Sequence, residues 1–538
     1  MISYRKLAMR VLGHSPVSAA KTARRRSTAK RAAALALTAA LVVGMTLPAF
    51  AQDWYIDNGD ISISAGTNGN NVTQGGTTTE NDTDTVIKGN GSSTASSNTV
   101  TIDAGEGKTV DVTLENVNIN TGKAAVSVTG SGNTNIELNG DNTLTSGDWH
   151  AGLEHNKETD SEGNETSGTL TITDTDKNGS LTATGHFGGA GIGGGNIKNA
   201  GKIEITGGTI TAIGSEDGAG IGGGGGGGGI GGDADITISG GTITAIGGQS
   251  EQIGGAGIGG GGYGGSADIT ITGDAVIKEA IGGNFAAGIG SGMGNPWRKP
   301  EPLITVGNVT IEGNAVIKNA QGGAYAAGIG GGYVGIGNVS IEGNVTIENA
   351  KGGAAAAGIG GGSDAKTKDD GTGNRIVIRS NEDGSPTINA TGGVPEVDGD
   401  DNVISAGGAA IGSGASLPDE NGVVAPEADA DITIKGKVTI NATGGGDVAI
   451  GDSTNGETRF SGLQVGTTIT RRNAKGDDVS QPGDVVREQA PTETEGAEAP
   501  STGSAEVERP VTVEGLYVTN VLGKQITHTC TQNGTTLT

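Results

Sequence analysis

Acidic and amide side chains in one short segment have the spacing of a cation site. Asp174, Asp176 and Asn178 alternate with other residues and are followed by glycine, as in the first half of an EF-hand loop. The bidentate glutamate that completes such a loop is missing, because position twelve is Gly185. A strand-connecting turn of Asp, Asn and Gly explains the same residues. The segment therefore leaves calcium and a simple turn both open.

A second acidic group is a column of residues that precede successive predicted strands. It includes Asp235 and Asp268, which stacking would place about 4.8 Å apart, close enough to share a cation. Lysine and arginine share the column, and capped turns explain Asp and Asn equally well. The full column is Lys202, Asp235, Asp268, Asn308, Asn338, Arg375 and Asp431. Calcium is the candidate cofactor at both acidic groups, with structural turns as the alternative.

Aromatic residues form only 2% of the chain, and several lie close to a recurring Gly-Ile-Gly triplet. Tyr263, Tyr333 and Trp297 each follow such a triplet, and Trp297 stands beside Arg298 in a proline-bounded insertion. Flat rings exposed on a rigid edge suit sugar recognition, because an apolar sugar face stacks on a ring while nearby polar groups orient its hydroxyls. We take these four residues as ligand-binding candidates, with loop packing as the alternative for Trp297.

Two further aromatic positions lie in the turn before a triplet. Phe285 and Tyr325 each stand four residues before the triplet isoleucine on consecutive repeats. We expect these two rings to stack in the interior. Trp149, followed by His150, is another candidate for ligand contact.

The elements that must hold these residues are repeats of about 30 residues. Gly-Asn-Val-Thr-Ile-Glu-Gly-Asn at 307–314 returns as Gly-Asn-Val-Ser-Ile-Glu-Gly-Asn at 337–344. Periods of this size are typical of stacked arrays. The triplet isoleucines are Ile192, Ile221, Ile258, Ile289, Ile329 and Ile359, continued at Ile411 and Ile450.

Each repeat contains three short strand-like pieces separated by glycine turns. Within one piece, Ile236 and Ile238 alternate with Thr237, which predicts isoleucines facing inward and threonine facing outward. Three strands per turn describe a parallel β-helix, so we predict an all-β solenoid of about eleven coils. Glycine is 106 of 538 residues without a strict triplet, which excludes collagen.

The first 51 residues have a different composition. They combine lysine and arginine with an apolar run that ends in an Ala-Phe-Ala sequence, which is typical of a bacterial secretory signal. A membrane anchor is the alternative, but the apolar run is short for a bilayer. We therefore expect a secreted protein, extracellular or loosely associated with the cell surface, with no transmembrane segment in the mature chain. The net charge of −26 disfavours nucleic acid and anionic lipid as partners.

The predicted domain order follows these changes in composition. A Pro-, Glu- and Thr-rich stretch without periodicity predicts a disordered linker, and alternation after it predicts a small β unit. The single cysteine, Cys530, excludes internal disulfides. The segments are a signal at 1–51, an N-terminal cap region at 52–100, the β-helix at 101–470, the linker at 471–509 and a C-terminal β unit at 510–538.

Residues for catalysis are sparse in the predicted helix. Polysaccharide hydrolases and lyases need an acid and a base that meet in a groove. Arg298, Arg375 and Arg379 are not spaced regularly beside acidic groups, and the five histidines suggest no triad. Carboxylates that meet across coils cannot be recognised in sequence, so a lyase or hydrolase stays as an alternative to a protein without catalysis.

Several segments resemble a known family of secreted bacterial parallel β-helix proteins with Gly-Ile-Gly repeats that are described as containing a carbohydrate-binding domain. The similar segments are Val112–Ile119, Ile136–Leu144, His150–Glu154, Leu170–Asp174 and Gly189–Gly195. The resemblance covers residues 100 to 450. It implies a right-handed helix, extracellular placement and, in some relatives, binding of calcium and acidic polysaccharide. No binding residue transfers, because the matched motif consists mostly of inner columns and turns.

We therefore expect a secreted, non-catalytic β-helix that binds polysaccharide. The competing expectation is a structural adhesin or spacer on the cell surface that presents its C-terminal unit.

Overall fold

The computed structural model describes residues 52–486, apart from several short gaps, and the backbone of 517–519 and 525–527. The gaps are 92, 227–229, 251, 297–302, 369–370, 398–402, 419–423, 425–427, 453–457 and 482. The predicted signal segment, most of the predicted linker, Trp297, Arg298 and Cys530 lie outside the described residues.

The chain winds into a right-handed parallel β-helix with three sheets that run along its length. Successive strands of one sheet come from successive coils and pair in parallel, as Ala267–Ile271 pairs with Thr305–Gly313. In the described part of the chain there is no α-helix, only a short 3-10 turn at Ile56–Asn58. This confirms the predicted all-β solenoid with three strands per coil.

The first sheet has thirteen strands within the described ranges. They are Gln52–Tyr55, Thr85–Lys88, Thr109–Glu115, Asn133–Asn139, Leu170–Thr173, Ile203–Ile205, Ala234–Ile238, Ala267–Ile271, Thr305–Gly313, Gly335–Gly343, Asn374–Arg379, Ala430–Gly436 and Arg459–Leu463.

The second sheet follows the first in each coil. Its strands are Asn118–Asn120, Asp141–Thr145, Ser180–Thr184, Thr209–Ile213, Thr242–Ile246, Val276–Ile281, Val316–Ile317 with Ala320–Gln321, Thr346–Lys351, Thr387–Thr391, Thr439–Thr443 and Thr468–Arg472.

The third sheet is made mostly of the two-residue strands of the triplet. Its parallel strands are Ile61–Ala65, Val100–Asp103, Val126–Thr129, Leu153–His155, Ile192–Gly193, Ile221–Gly222, Ile258–Gly259, Ile289–Gly290, Ile329–Gly330, Ile359–Gly360, Ile411–Gly412 and Ile450–Gly451. Two antiparallel strands, Asn70–Gln74 and Thr77–Asp82, extend this sheet at its N-terminal end.

Aliphatic columns fill the interior, as the alternation predicts. Ile236 and Ile238 are buried, whereas Thr237 between them is only half-buried. Ile329 pairs with Ile289 on one side and Ile359 on the other, and all three are fully buried. A second inner column, which includes Ile210, Ile243, Ile277, Ile317, Ile347, Ile388 and Ile440, runs along the second sheet.

The glycines of the triplet are required by the close approach of neighbouring coils. Gly330 has a φ of +130°, and a Cβ placed there would lie 2.1 Å from the carbonyl oxygen of Gly360. Gly328, the first glycine of the same triplet, would place a Cβ 2.8 Å from the carbonyl oxygen of Gly358. Side chains at either position would push the coils apart, which explains why Gly-Ile-Gly recurs.

The described ends of the helix differ from the predicted boundaries. Strands that pair with the helix begin at Gln52–Tyr55 rather than at residue 101. At the other end, Arg471 is buried in a bidentate contact with Asp484 and stacks over Phe460, with 5.4 Å from its guanidinium carbon to the ring centroid. The linker prediction is therefore wrong for residues 471–486, which fold against the last coil.

The rest of the described chain adds two small antiparallel pairs. Glu396–Val397 pairs with Val403–Ser405 at an insertion, and Tyr517–Thr519 pairs with Gln525–Thr527 in the predicted C-terminal unit. No helix among the described residues is both long and apolar enough to cross a membrane.

Candidate functional site

The turns that connect the second sheet to the third form a row along the helix, which we call the aromatic edge. Phe285 and Tyr325 are each the third residue of a β-turn in this row. The turns are closed by hydrogen bonds from the Ala286 amide to the Gly283 carbonyl (3.0 Å) and from the Ala326 amide to the Gly323 carbonyl (3.2 Å).

The backbone at these turn positions is of a kind that normally selects glycine. Phe285 has a φ of +66° and Tyr325 a φ of +60°. A type II turn needs positive φ at its third position, and a bulky residue held there costs about 1 to 2 kcal/mol. Large rings at a strained position point to a role for the rings themselves.

Three rings meet at this part of the edge, and we call them the tyrosine cluster. Phe285 and Tyr325 stack with 5.7 Å between ring centroids and 10° between ring planes. Tyr333, which follows the triplet strand Ile329–Gly330, lies 5.5 Å from Phe285 and 5.9 Å from Tyr325 between centroids. All three side chains are only half-buried. The stacking expected for Phe285 and Tyr325 is therefore confirmed, but its interior location is wrong, because both side chains are half-buried and lie outside the core.

Carboxylates hold the two phenols of the cluster. The Tyr333 hydroxyl donates to Asp364 Oδ2 at 2.8 Å, and the other oxygen of Asp364 accepts the Leu417 amide at 2.8 Å. Burial, followed by its hydrogen bond to Glu396, raises the pKa of Tyr325 to about 12. Burial and the charge of Asp364 raise the pKa of Tyr333 well above its usual value. Both shifts favour the protonated form of the phenols, in which the hydroxyls can donate hydrogen bonds.

The insertion that contains Trp297 and Arg298 begins beside this cluster. Those two residues lie outside the described part, so their positions are not part of the site geometry. Asn295 and Leu303, on either side of the gap, pair through two backbone hydrogen bonds of 2.8 and 2.9 Å. The Gly294 amide donates to the Tyr333 carbonyl at 2.8 Å, so the base of the insertion is attached to the tyrosine cluster.

A second aromatic group lies on the same edge, and we call it the tryptophan patch. Trp149 and Phe187 are 59% and 40% exposed and stack with 5.8 Å between ring centroids. His186 packs edge-on against Phe187 at 4.6 Å and hydrogen-bonds Asp148 through Nδ1 at 2.7 Å.

His150 extends the tryptophan patch toward the interior. Its Nδ1 hydrogen-bonds the carboxylate of Glu154 at 2.8 Å. Glu154 is buried and also accepts hydrogen bonds from the Ala151 amide and the Asn156 side chain. The Trp149–His150 pair identified in the sequence therefore lies in an ordered, polar-rimmed aromatic surface.

Tyr263, the remaining aromatic candidate, lies in a different turn. It follows the triplet strand Ile258–Gly259, has a φ of +63° and is half-buried. Its carbonyl accepts the Gly231 amide at 3.0 Å, but no ring contact to another described aromatic residue is present. The structure therefore brings Tyr333, but not Tyr263, into an aromatic group.

The turn at Asp174 and Asp176 gains a third carboxylate that the sequence analysis missed. Glu137, one coil earlier, offers an oxygen within 4.8 Å of oxygens of Asp174 and Asp176. Asp174 Oδ1 already accepts the amides of Asn178 and Gly179, each at 3.1 Å. Asn178 donates its side-chain amide to Asp176 at 2.8 Å.

These contacts test the fit of calcium to the turn. Glu137, Asp174 and Asp176 form a hard-oxygen set that suits calcium. The Asn178 side chain is instead engaged by protein groups, because its oxygen accepts the amide of Gly140 on the preceding coil at 3.4 Å. The turn thus has the hydrogen bonds of a capped Asp-Asn-Gly turn without any ion, and three carboxylates are the ligands that it can offer.

The predicted acidic column is present as a register column of the first sheet. Asp235 pairs with Asp268, which pairs with Asn308 on the following coil. The Asn308 amide donates to Asp268 at 2.7 Å, and Asn338 donates to Asn308 at 2.9 Å. Loss of hydration raises the pKa of Asp235; the charge of Lys202 opposes this shift and the charge of Asp268 adds to it. The column is thus bridged by amides over these coils rather than by carboxylates alone.

Comparison with known proteins supports the fold. The family model described as a beta helix repeat matches residues 177–196, 203–226, 236–262, 269–293 and 309–333. Neither the curated proteins nor the solved structures provide a match to the chain. The matched repeats and the three parallel sheets together identify the chain as a parallel β-helix protein.

Proposed function

We propose that the protein is a secreted, non-catalytic β-helix that binds polysaccharide at the aromatic edge. The observation that carries the proposal is the tyrosine cluster, in which Phe285 and Tyr325 place half-buried, stacked rings at backbone positions that favour glycine. Packing alone gives no reason for a ring there, since Ala355 occupies the same position one coil later at a φ of +55°.

The chemistry of the cluster suits a sugar. Half-buried rings provide flat apolar surfaces on which the C–H face of a sugar stacks. Asp364, Glu396 and the two phenols provide acceptors and donors beside those rings, so that sugar hydroxyls find partners in a fixed direction. Three continuous parallel sheets support the rings, and a rigid support reduces the entropy lost on binding.

We further propose that Trp297 and Arg298 extend this surface. Support comes from the Gly294–Tyr333 hydrogen bond, which attaches the base of their insertion to the cluster. An arginine and a tryptophan in this insertion would widen the range of sugars that the edge accepts, including acidic ones. Calcium enters the proposal as an ion at Glu137, Asp174 and Asp176, where it would stabilise a turn distant in sequence from the rings.

Protonated tyrosines favour binding over catalysis at this cluster. A lyase that used tyrosine as a base would need a phenol with a lowered pKa, whereas both phenols here are shifted upward. A hydrolase would instead use two carboxylates as acid and base or nucleophile. Both oxygens of Asp364 already accept hydrogen bonds, one from the Tyr333 hydroxyl and one from the Leu417 amide, so Asp364 positions the Tyr333 ring.

The alternative function is a spacer or adhesin that presents its C-terminal unit. The observation in its favour is the long helix with a separate antiparallel pair at Tyr517–Thr519 and Gln525–Thr527. A spacer would attach to cells or protein partners without needing the rings of the edge.

A glycan array probed with and without a chelator separates these functions. Wild-type protein should bind a defined set of polysaccharides, and a Phe285→Ala, Tyr325→Ala double variant should lose that signal. Loss of signal on chelation would support a bound calcium ion that binding requires, whereas an unchanged signal would show that glycan binding does not need calcium. Absence of glycan binding together with attachment of both proteins to cells would favour the spacer.

A further inference from the structure

We infer that the ligand is a linear polysaccharide that lies along the helix axis and contacts the tryptophan patch and the tyrosine cluster together. This inference rests on the proposed function and adds the form and direction of the ligand. The two aromatic groups are the ends of one continuous surface rather than two separate sites.

The first observation is that both groups occupy the same row of turns. Trp149 and Phe187 lie in turns that connect a strand of the second sheet to a strand of the third sheet. Phe285 and Tyr325 lie in the equivalent turns of later coils. Like those residues, Trp149 and Phe187 have positive φ, at +75° and +42°. The row is continuous through backbone hydrogen bonds between coils, such as the Trp149 amide to the His186 carbonyl at 3.1 Å.

The second observation is the spacing of the two groups. Phe187 precedes the triplet strand at Ile192, and Phe285 precedes the triplet strand at Ile289. These two triplet strands are three coils apart in the third sheet. Three coils correspond to about 14 Å at about 4.8 Å per coil. A single sugar cannot reach both groups, whereas an extended chain of several sugars parallel to the axis can.

The third observation is the polar surface between the two groups. Glu216 lies in the corresponding turn on the coil after Phe187, where it has a φ of +51° and an exposed side chain. On the next coil Gln252 is exposed, and the Asn284 side chain reaches its carbonyl at 3.5 Å. Polar side chains between two aromatic surfaces suit a polymer whose sugars stack at both ends and hydrogen-bond in the middle.

Binding both groups with one polymer has a measurable signature. Once a chain is long enough to contact the second group, that contact is intramolecular and adds affinity through a high effective concentration. Affinity should therefore rise in a step as chain length increases. Oligomers too short to span the gap should contact one group only.

The test uses the full mature chain without a histidine tag and two size ladders, β-1,4-glucan and α-1,4-galacturonan, from disaccharide to octasaccharide. On the ladder that binds, wild type should gain about tenfold or more in affinity once the oligomer spans both groups. Trp149→Ala should abolish that gain while leaving the affinity of short oligomers for the tyrosine cluster unchanged. Tyr55→Ala, an exposed aromatic change on the first sheet, serves as the matched control.

Three outcomes would overturn the inference. A length dependence that is identical in wild type and Trp149→Ala would show that the tryptophan patch does not contact the polymer. A Trp149→Ala loss that is equal for the shortest and longest oligomers would show two independent sites. No binding of wild type to either ladder at any length would contradict the proposed function itself, and the inference would fall with it.

Discussion

The ring of Tyr325 lies parallel to the ring of Phe285 on the neighbouring coil, with 5.7 Å between their centroids and 10° between their planes. Both residues are the third residue of a turn at positive φ, so the same backbone strain recurs one coil apart. The repeat thus places two rings at the same strained turn position on neighbouring coils, where they form one joint aromatic surface.

The buried triplet isoleucines should contribute more to the free energy of unfolding than isoleucines on the outer face of the helix. Ile329→Ala removes a fully buried side chain and should lower the free energy of unfolding by about 2 to 5 kcal/mol. The matched control, Ile246→Ala, changes a half-buried isoleucine on the outer face of the second sheet and should cost much less. Chemical denaturation of both variants measures the difference. Equal losses would contradict the inward assignment of Ile329.

The second glycine of the triplet should tolerate no side chain. Gly330→Ala combines positive φ with a Cβ 2.1 Å from the Gly360 carbonyl oxygen, so neighbouring coils must move apart. Gly107→Ala is the control, because Gly107 also has positive φ but its Cβ would meet nothing within 4 Å. We expect about 1 to 2 kcal/mol from strain alone in the control and a larger loss at Gly330. Thermal unfolding that gives the same loss for both would refute the role of close coil contact.

Stability should fall with pH through His155. This imidazole is buried, with Nδ1 near the Val128 carbonyl and Nε2 near the Gly168 carbonyl, and the neutral ring can donate to only one of them. Burial lowers its pKa in the folded protein, although the two carbonyls favour the protonated ring. Because the folded pKa lies below the unfolded value of about 6.5, the neutral form stabilises the fold, and that stability is lost as pH falls below about 6.5. His155→Gln should show a smaller decrease between pH 7 and pH 5 in denaturant titrations. An identical decrease in the variant would assign the pH dependence to other groups.

The C-terminal cap should depend on one buried ion pair. Asp484→Ala leaves the Arg471 guanidinium, 2% exposed, without its carboxylate, and should cost about 3 to 5 kcal/mol. Arg459→Ala breaks the exposed pair with Asp431 and should cost less than about 1 kcal/mol. Limited proteolysis should cleave the C-terminal part of the Asp484 variant fastest. A cap that resists protease equally in both variants would show that the buried pair is dispensable.

The periodic part of the fold is readable from the sequence, because inward isoleucines and close-approach glycines repeat with the coil. Ile329 and Gly330 are examples, since each has one physical reason to be where it is. The cap at Arg471 could not be predicted, because it depends on a single contact with Asp484 that follows no period.

The candidate site was readable only in part. The place of Tyr333 after a triplet makes it a candidate, but the half-buried position of Phe285 depends on the conformation of one turn, which the sequence pattern does not report. Two sequence features are related to the parts of the site that the prediction lacks. The recurrence of Gly-x-aromatic-Ala before a triplet at Phe285 and Tyr325 marks the turn, and Glu137 stands one coil before Asp174 in the acidic turn.

The central claim is tested most directly by calorimetric titration of wild type and Tyr325→Ala with the polysaccharide that gives the strongest array signal. The variant should fold normally, because Ala355 holds the equivalent turn position at a φ of +55°. We predict that it binds more weakly by about 1 to 3 kcal/mol, while Tyr55→Ala binds as wild type does. Equal affinities of wild type and Tyr325→Ala for that polysaccharide, with unchanged circular dichroism, would contradict the assignment of glycan binding to the aromatic edge.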